Sequence, residues 1–175
     1  MAVEIIPVWK RDDPELQAEL ARYWIENGAM QDEGRAIRRA REVACIARKE
    51  GRIVGVTTAY PKISGLLRQP MYFLRMHIAQ PARNEALSIP FLKASFAEIE
   101  RQELEKDKPM CLGVMLLLQN ERLANHYNEA YWWQSQFVFA GYGEKDQQAR
   151  VRFFKGAKLG PPMVPRKAKA PASAA

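Results

Sequence analysis

Ile78-Ala79-Gln80-Pro81-Ala82-Arg83-Asn84-Glu85-Ala86-Leu87-Ser88 joins the end of a strand-like run to the start of the longest helical pattern in the chain. Upstream, Met71 to Ala79 is rich in apolar and aromatic residues and predicts a strand. Downstream, Leu87, Phe91, Ala94 or Ser95 and Ile99 follow one side, with Glu98, Glu100, Arg101, Glu105 and Lys106 on the other, which predicts a helix within Asn84 to Asp107. Pro90 belongs in the first turn of that helix, where its missing N–H costs little, so the helix starts near Ser88. Its first amides have no intrahelical acceptor and sit at the positive end of the dipole. With Arg83 just ahead of it, this strand, loop and helix passage predicts an anion-binding site.

Toward the amino terminus, Val3 to Trp9 predicts a first strand. Asp13 is a suitable N-cap for a helix with Pro14 at its first position and Leu16, Leu20, Tyr23 and Trp24 at helical spacing, ending at Gly28. A second, arginine-rich helix is expected from Gly34 to about Glu42, carrying Arg35, Arg38, Arg39 and Arg41. Val43 to Arg48 and Arg52 to Tyr60 are β-rich runs around Lys49-Glu50-Gly51 and predict a hairpin. Pro61 to Pro70 reads as a loop. Beyond the long helix, Cys111 to Leu118 is a strand-sized apolar run, Glu121 to about Trp132 a helix capped by Asn120, and Gln136 to Tyr142 with Gln148 to Phe154 a closing hairpin. The order β-α-α-β-β-β-α-β-α-β-β predicts an α/β domain, a mixed sheet with helices on its faces.

Composition narrows the classes. The chain has 175 residues, net charge +7, 47% hydrophobic and 10% aromatic residues, enough apolar surface to offset chain entropy, so disorder throughout is excluded. No run approaches the roughly 18 to 20 apolar residues that cross a bilayer. The opening Met-Ala-Val-Glu-Ile-Ile lacks a signal-peptide pattern, and the expected location is the cytoplasm. Cys45 and Cys111 lie in apolar segments without CxxC spacing, which predicts buried free thiols and no metal site. Lys158, Arg166, Lys167 and Lys169 fall within the last twenty residues without an acid. The expected division is a domain over residues 1–156 and a basic Ala/Pro/Lys tail over 157–175 that buries almost nothing and is disordered from about residue 160.

The segment from Ile78 to Ser88 resembles the acyl-CoA loop of the GNAT family of acyltransferases, in which a strand ends in Val-x-Pro-x-x-Arg-Gly-x-Gly-x-Gly or a relative. Arg83 falls on the arginine, Asn84 on an extra glycine, and Ala86 and Ser88 on the two glycine positions, with Glu85 adding a negative charge nearby. Asn120-Glu121-Arg122-Leu123-Ala124-Asn125-His126-Tyr127-Asn128 is similar to the family's Asn-x-x-Ala-x-x-x-Tyr-Glu segment, and Gly51-Arg52-Ile53-Val54-Gly55 to its third strand. The Gly-Phe pair that usually follows the tyrosine is replaced by Tyr131-Trp132-Trp133.

The resemblance implies a mixed, mostly antiparallel six- to seven-stranded sheet flanked by about four helices, with a splay between the fourth and fifth strands. It implies acetyl-CoA or another acyl-CoA as co-substrate and an amine, on a small molecule or a protein, as acceptor. Coenzyme contacts then fall to Ile78, Arg83, the run Asn84, Glu85, Ala86, Leu87 and Ser88, and Asn120. Tyr127 becomes the acid that protonates the departing thiolate, since a phenol keeps its proton at neutral pH.

Other readings of the same residues stand beside these. His77 faces away from Ile78 on a regular strand, and the general base is left open between Glu33, Glu42, a water chain and none at all. Tyr127 could pack its ring alone, and Tyr131, Trp132 and Trp133 read as core and rim aromatics whose exposure would permit a homodimer. The arginine helix is a solvated face or an attractor for an acidic partner. The basic tail supplies only salt-dependent attraction, so nucleic acid is not the expected partner. The alternative to an enzyme is a catalytically inactive GNAT-fold binding or interaction module.

Overall fold

Glu50 and Gly51 both take left-handed backbone, φ 52° and 77°, and fold Val43–Lys49 back on Arg52–Ile63. In a computed structural model, which describes residues 3–83 and 86–164 with the side chains of residues 122 and 123 excepted, this hairpin lies within an eight-stranded sheet. The elements are β1 (Glu4–Pro7), α1 (Pro14–Glu26), α2 (Glu33–Ala40), β2 (Val43–Lys49), β3 (Arg52–Ile63), β4 (Pro70–Ile78), a 3₁₀ turn (Gln80–Ala82), α3 (Ser88–Leu104), β5 (Gly113–Leu117), α4 (Glu121–His126), β6 (Tyr131–Trp132), β7 (Phe137–Tyr142) and β8 (Gln148–Phe153). The sheet order is β1-β2-β3-β4-β5-β8-β7-β6, and every pairing is antiparallel except β4 with β5.

Helices cover both faces. On one, Leu20, Tyr23 and Trp24 of α1 and Ala36 and Ala40 of α2 pack on Val43, Ile46, Ile53 and Val56. On the other, Phe91, Leu92, Phe96 and Ile99 of α3 pack on Cys45, Ala47, Tyr72, Leu74 and Val114. Side chains of this size contribute about 1.5–3 kcal/mol each when fully buried, so α3 is anchored firmly enough to hold its first turn in place. Gly55 makes room for that helix, because a Cβ there would lie 2.9 Å from the Phe91 ring.

Helix starts follow the sequence. Asp13 accepts from Leu16 N at 3.0 Å and caps α1, while Pro14 takes its first position. The third residue of α3 is Pro90, and no side chain caps that helix.

Two sequence expectations are corrected. The segment Pro61 to Pro70 is not all loop, for β3 continues to Ile63 and pairs Pro61 with Tyr72. Ala59 N donates to Glu42 O on the β2 side, so by alternation the Pro61 nitrogen also faces that side, just past the last β2–β3 pair at Val43 and Thr58. Its missing N–H therefore breaks no ladder bond.

The helix expected to reach Trp132 ends instead at His126, and Tyr131–Trp132 forms an eighth strand against Phe137–Val138. Arg150, 1% exposed, donates to the carbonyls of Tyr127 and Glu129, which take these bonds in place of helical ones.

Beyond β8, Gln69 Nε2 donates to Gly160 O at 2.9 Å and Met163 N to Arg68 O at 2.8 Å. Residues 165–175 of the basic end lie outside the described residues. Cys45 and Cys111 are buried free thiols. No helix among the described residues is long and apolar enough to cross a membrane.

Candidate active site

β4 and β5 pair in parallel over only three residues, Tyr72, Phe73 and Leu74 against Val114, Met115 and Leu116. Beyond Leu74 the strands part, and Leu118 N turns to Gln148 O on the β8 side. Leu112 N donates to Pro70 O on the β5 side of β4, whereas Ala79 N donates to Val54 O on the β3 side. Alternation between these fixed points turns the amides of Met76 and Ile78 into the gap with no strand opposite. The Ile78 carbonyl already accepts from Arg83 Nε at 3.0 Å.

A cavity of about 350 Å³ occupies the splay and reaches both faces of the sheet. On the α3 face it is bounded by Leu74, Met76, Ser88, Ile89 and Leu92. On the α1/α2 face it meets Trp24, Met30, Arg39, Thr58, Arg75 and His77. The β5 end contributes the segment from Leu116 to Asn120, together with Tyr127. The two faces follow from strand alternation: Thr58 pairs with Arg75 and Val56 with His77, so these four side chains point toward α1 and α2, while Leu74, Met76 and Ile78 point toward α3.

Next to the α3 end lies an open groove of about 960 Å³ bordered by Arg83, Ala86, Ser88, Lys93, Tyr127 and Trp133. Ala86 takes φ 50°, the left-handed backbone that glycine would adopt without strain. Leu87 is buried beneath the loop, and Ser88 and Ile89 open the uncapped first turn of α3. Arg83, Ala86 and Ser88 are thus brought together with Tyr127, and Asn120 borders the cavity, whereas Ile78 at the end of β4 and the buried Leu87 line neither the cavity nor the groove. Asn84 and Glu85 lie outside the described residues.

Tyr127 follows α4 and borders both the cavity and the groove. Its carbonyl accepts from Arg150 at 2.9 Å and from Trp132 Nε1 at 3.2 Å, and its ring meets His126 and Trp132 edge-on. The backbone is thereby pinned, while the hydroxyl has no hydrogen-bond partner among the described residues.

His77 has an environment that sequence reasoning did not foresee. Its Nδ1 lies 2.9 Å from Tyr23 Oη, which is also 3.3 Å from Val54 O. When Tyr23 donates to the carbonyl and accepts from Nδ1–H, the lone pair of His77 rests on Nε2. Burial, helped by the Arg83 charge, pushes the imidazole below its ordinary value, so it is neutral at physiological pH. Burial pushes the Tyr23 phenol up to about 12, so it stays protonated as a partner. Glu33 and Glu42, the open alternatives, do not border the cavity. Among the described residues no group of three or more His, Cys, Asp or Glu is placed to hold a metal ion.

The parallel β4–β5 pair, its splay and the α3 start decide the fold, and solved structures share it. An acetyltransferase of the GNAT family from Streptococcus pneumoniae superposes with TM-score 0.56 at 14% identity over 87% of this chain and 99% of its own. The chain has the GNAT acetyltransferase fold. The ribosomal-protein-S5-alanine acetyltransferase of Vibrio fischeri matches with TM-score 0.60 at 9% identity, covering 90% of this chain and 96% of its own. AtaTR bound with acetyl-CoA matches at TM-score 0.54 and 13% identity, covering 89% and 95% respectively. No protein-family model and no curated protein matches the sequence. The GNAT fold accounts for the mixed sheet and four helices expected from the sequence, with eight strands in place of six or seven.

Proposed function

We propose that the protein transfers an acetyl or related acyl group from acyl-CoA to an amine by direct attack. The observation that carries this reading is the cavity through the β4–β5 splay, which joins the uncapped start of α3 to a chamber holding a neutral histidine. Pantetheine, with its two amides, suits a gap where the Met76 amide lacks a strand partner. The pyrophosphate is placed at the start of α3, held by Arg83 and by amides of the run from Asn84 to Ser88, with Asn120 along the pantetheine arm. Acetyl-CoA bound to AtaTR on the same fold is consistent with this use.

In the reaction, His77 Nε2 accepts a proton from the acceptor ammonium, freeing the nitrogen lone pair to attack the thioester carbon. The carbonyl oxygen gains negative charge and the Met76 amide donates to it. The C–S bond then breaks, Tyr127 gives its proton to the departing sulfur, and the second nitrogen proton passes to solvent. The proton held by His77 returns through solvent to the Tyr127 phenolate, so both groups are restored and the products are an amide, CoA thiol and one released proton.

Calorimetric titration with acetyl-CoA and CoA tests this reading. Binding is expected in the micromolar range, weakened by about tenfold or more in Arg83→Ala and in Ser88→Asp, which puts a charge where phosphate sits. Tyr127→Phe should bind CoA as the unaltered protein does while turnover falls by about 100-fold or more. Absence of binding at millimolar coenzyme would favour the inactive binding module, and unchanged turnover would remove Tyr127 from the chemistry.

A pH profile isolates the base. Because the His77 pKa lies below the ordinary imidazole value of 6.5, kcat/KM should lose the histidine contribution only as pH falls below that value. His77→Gln, which keeps a hydrogen bond to Tyr23 but cannot accept a proton, should lower the rate and abolish this acid limb. Persistence of the limb would assign it elsewhere.

A further inference from the structure

Resting on the acyltransfer reading, we infer that the acceptor is a small amine that also carries an oxyanion, a carboxylate or a phosphate, held between Arg39 and Arg75. The two arginines reach the chamber from different elements, Arg39 from α2 and Arg75 from β4 opposite Thr58. Neither has a carboxylate within ion-pair distance among the described residues, and the Arg39 guanidinium, unlike its backbone carbonyl, which accepts from Glu42 N at 2.9 Å, makes no hydrogen bond there. Arg75 donates to Tyr60 Oη at 3.0 Å and lies over that ring, a contact that orients the guanidinium without neutralising it.

Other arginines drawn out of solvent have hydrogen-bond or ion-pair partners, though Arg150 keeps a buried Nε without one, and Arg75 itself is exposed. Arg48 is paired with Glu19, Arg150 donates to the Tyr127 and Glu129 carbonyls, and Arg152 donates to Ser135 O and lies over Phe96. Arg39 is half-buried beside a like charge, an arrangement that burial and repulsion both disfavour. Glu42, Arg35 and Tyr60 also act on it, and none of the three closes an ion pair. An anion in the chamber relieves that repulsion, and the planar guanidinium forks suit carboxylate and phosphate oxygens alike.

The arrangement also fixes the rest of the acceptor. His77 and Arg75 are two residues apart on the same face of β4, about 7 Å along the strand. With the anion at the arginines, an amine a few bonds away lies beside His77 Nε2. A 350 Å³ cavity shared with pantetheine admits a small molecule, and polycationic amines are repelled.

The decisive comparison uses matched acceptors with acetyl-CoA: methionine against methioninamide for a carboxylate, and phosphoethanolamine against ethanolamine for a phosphate. At least one anionic member should exceed its neutral partner by about tenfold or more in kcat/KM, and which pair shows the preference identifies the anion. Arg39→Gln and Arg75→Gln should erase the preference while leaving CoA affinity unchanged. A preference for the neutral members, or for spermidine, overturns the inference while leaving acyl transfer standing.

If no acceptor turns over, N-acetylmethionine and O-phosphoethanolamine are titrated directly into the CoA-bound protein. Binding lost in Arg39→Gln supports the anion site without the chemistry. No binding of either at about 10 mM, well above ordinary small-ligand dissociation constants, overturns the inference.

Discussion

Glu103→Ala should lower the unfolding free energy by about 3–5 kcal/mol, the cost of leaving two backbone amides and the Tyr72 hydroxyl without their buried acceptor. Glu103 is 1% exposed. One oxygen accepts from the amides of Met110 and Cys111, the other from Tyr72 Oη at 2.9 Å and from Lys106 Nζ. Burial alone would raise its pKa, but these donors bring it below the ordinary carboxylate value. Alanine leaves two backbone amides at the start of the β5 segment without an acceptor.

Glu103→Gln should cost less, since its carbonyl can still serve the two amides and Lys106, partly exposed, can turn to water. The sign of the pH effect follows from the depressed pKa. The Glu103 contribution is present above the unfolded value of 4.5 and is lost as pH falls through the folded one, a loss that the glutamine variant should not show. Urea unfolding of the three proteins measures both effects, and a midpoint unchanged in Glu103→Ala would show that this network contributes no stability.

Gly113→Ala is expected to cost about 3 kcal/mol, at the upper end of ordinary overpacking. A Cβ at Gly113 would lie 2.3 Å from Arg152 O and 2.7 Å from Phe153 Cα, both backbone atoms that no rotamer change can move aside. Relief requires β5 and β8 to separate at the Gly113–Phe153 pair. β5 leads directly into the segment Leu116 to Asn120 that walls the cavity, so coenzyme affinity should fall together with stability. An unchanged melting temperature would mean that the strands are not held this closely in solution. If stability falls but CoA affinity does not, the wall is independent of that pairing.

The proposed coenzyme half of the site is the more legible because it is nearly continuous in sequence. Pro90 dictates where α3 begins, and the loop ahead of it carries the arginine and the small residues, so one segment of eleven residues contained strand end, loop and helix start. Ala86 keeps the left-handed backbone despite lacking glycine's freedom, since neighbouring packing of Leu87 and Phe91 outweighs the local cost of its Cβ.

The proposed acceptor half is not legible in the same way. Trp24, Arg39, Thr58, Arg75 and His77 come from four elements, and only the β3–β4 register puts Thr58 beside Arg75 and Val56 beside His77. That register is accessible in principle from alternation, but Pro61 reads as the start of the turn, whereas β3 runs on to Ile63. The strand Tyr131–Trp132 was missed for a related reason. A buried arginine more than twenty residues later takes the carbonyls that would have extended α4, and local periodicity carries no trace of it.

Pro7 and Pro61 also guard the margins of the sheet. β1 and β6, the outer strands, have four and two residues, too short to template a neighbour. Val8 N faces β2, so the Pro7 nitrogen points outward where a foreign chain would seek a donor. Pro61 stands likewise where β3 outruns β2. Growth of the sheet by addition of another molecule's strand is thereby discouraged at the places where backbone is open, and association between copies of this chain is left to side-chain surfaces.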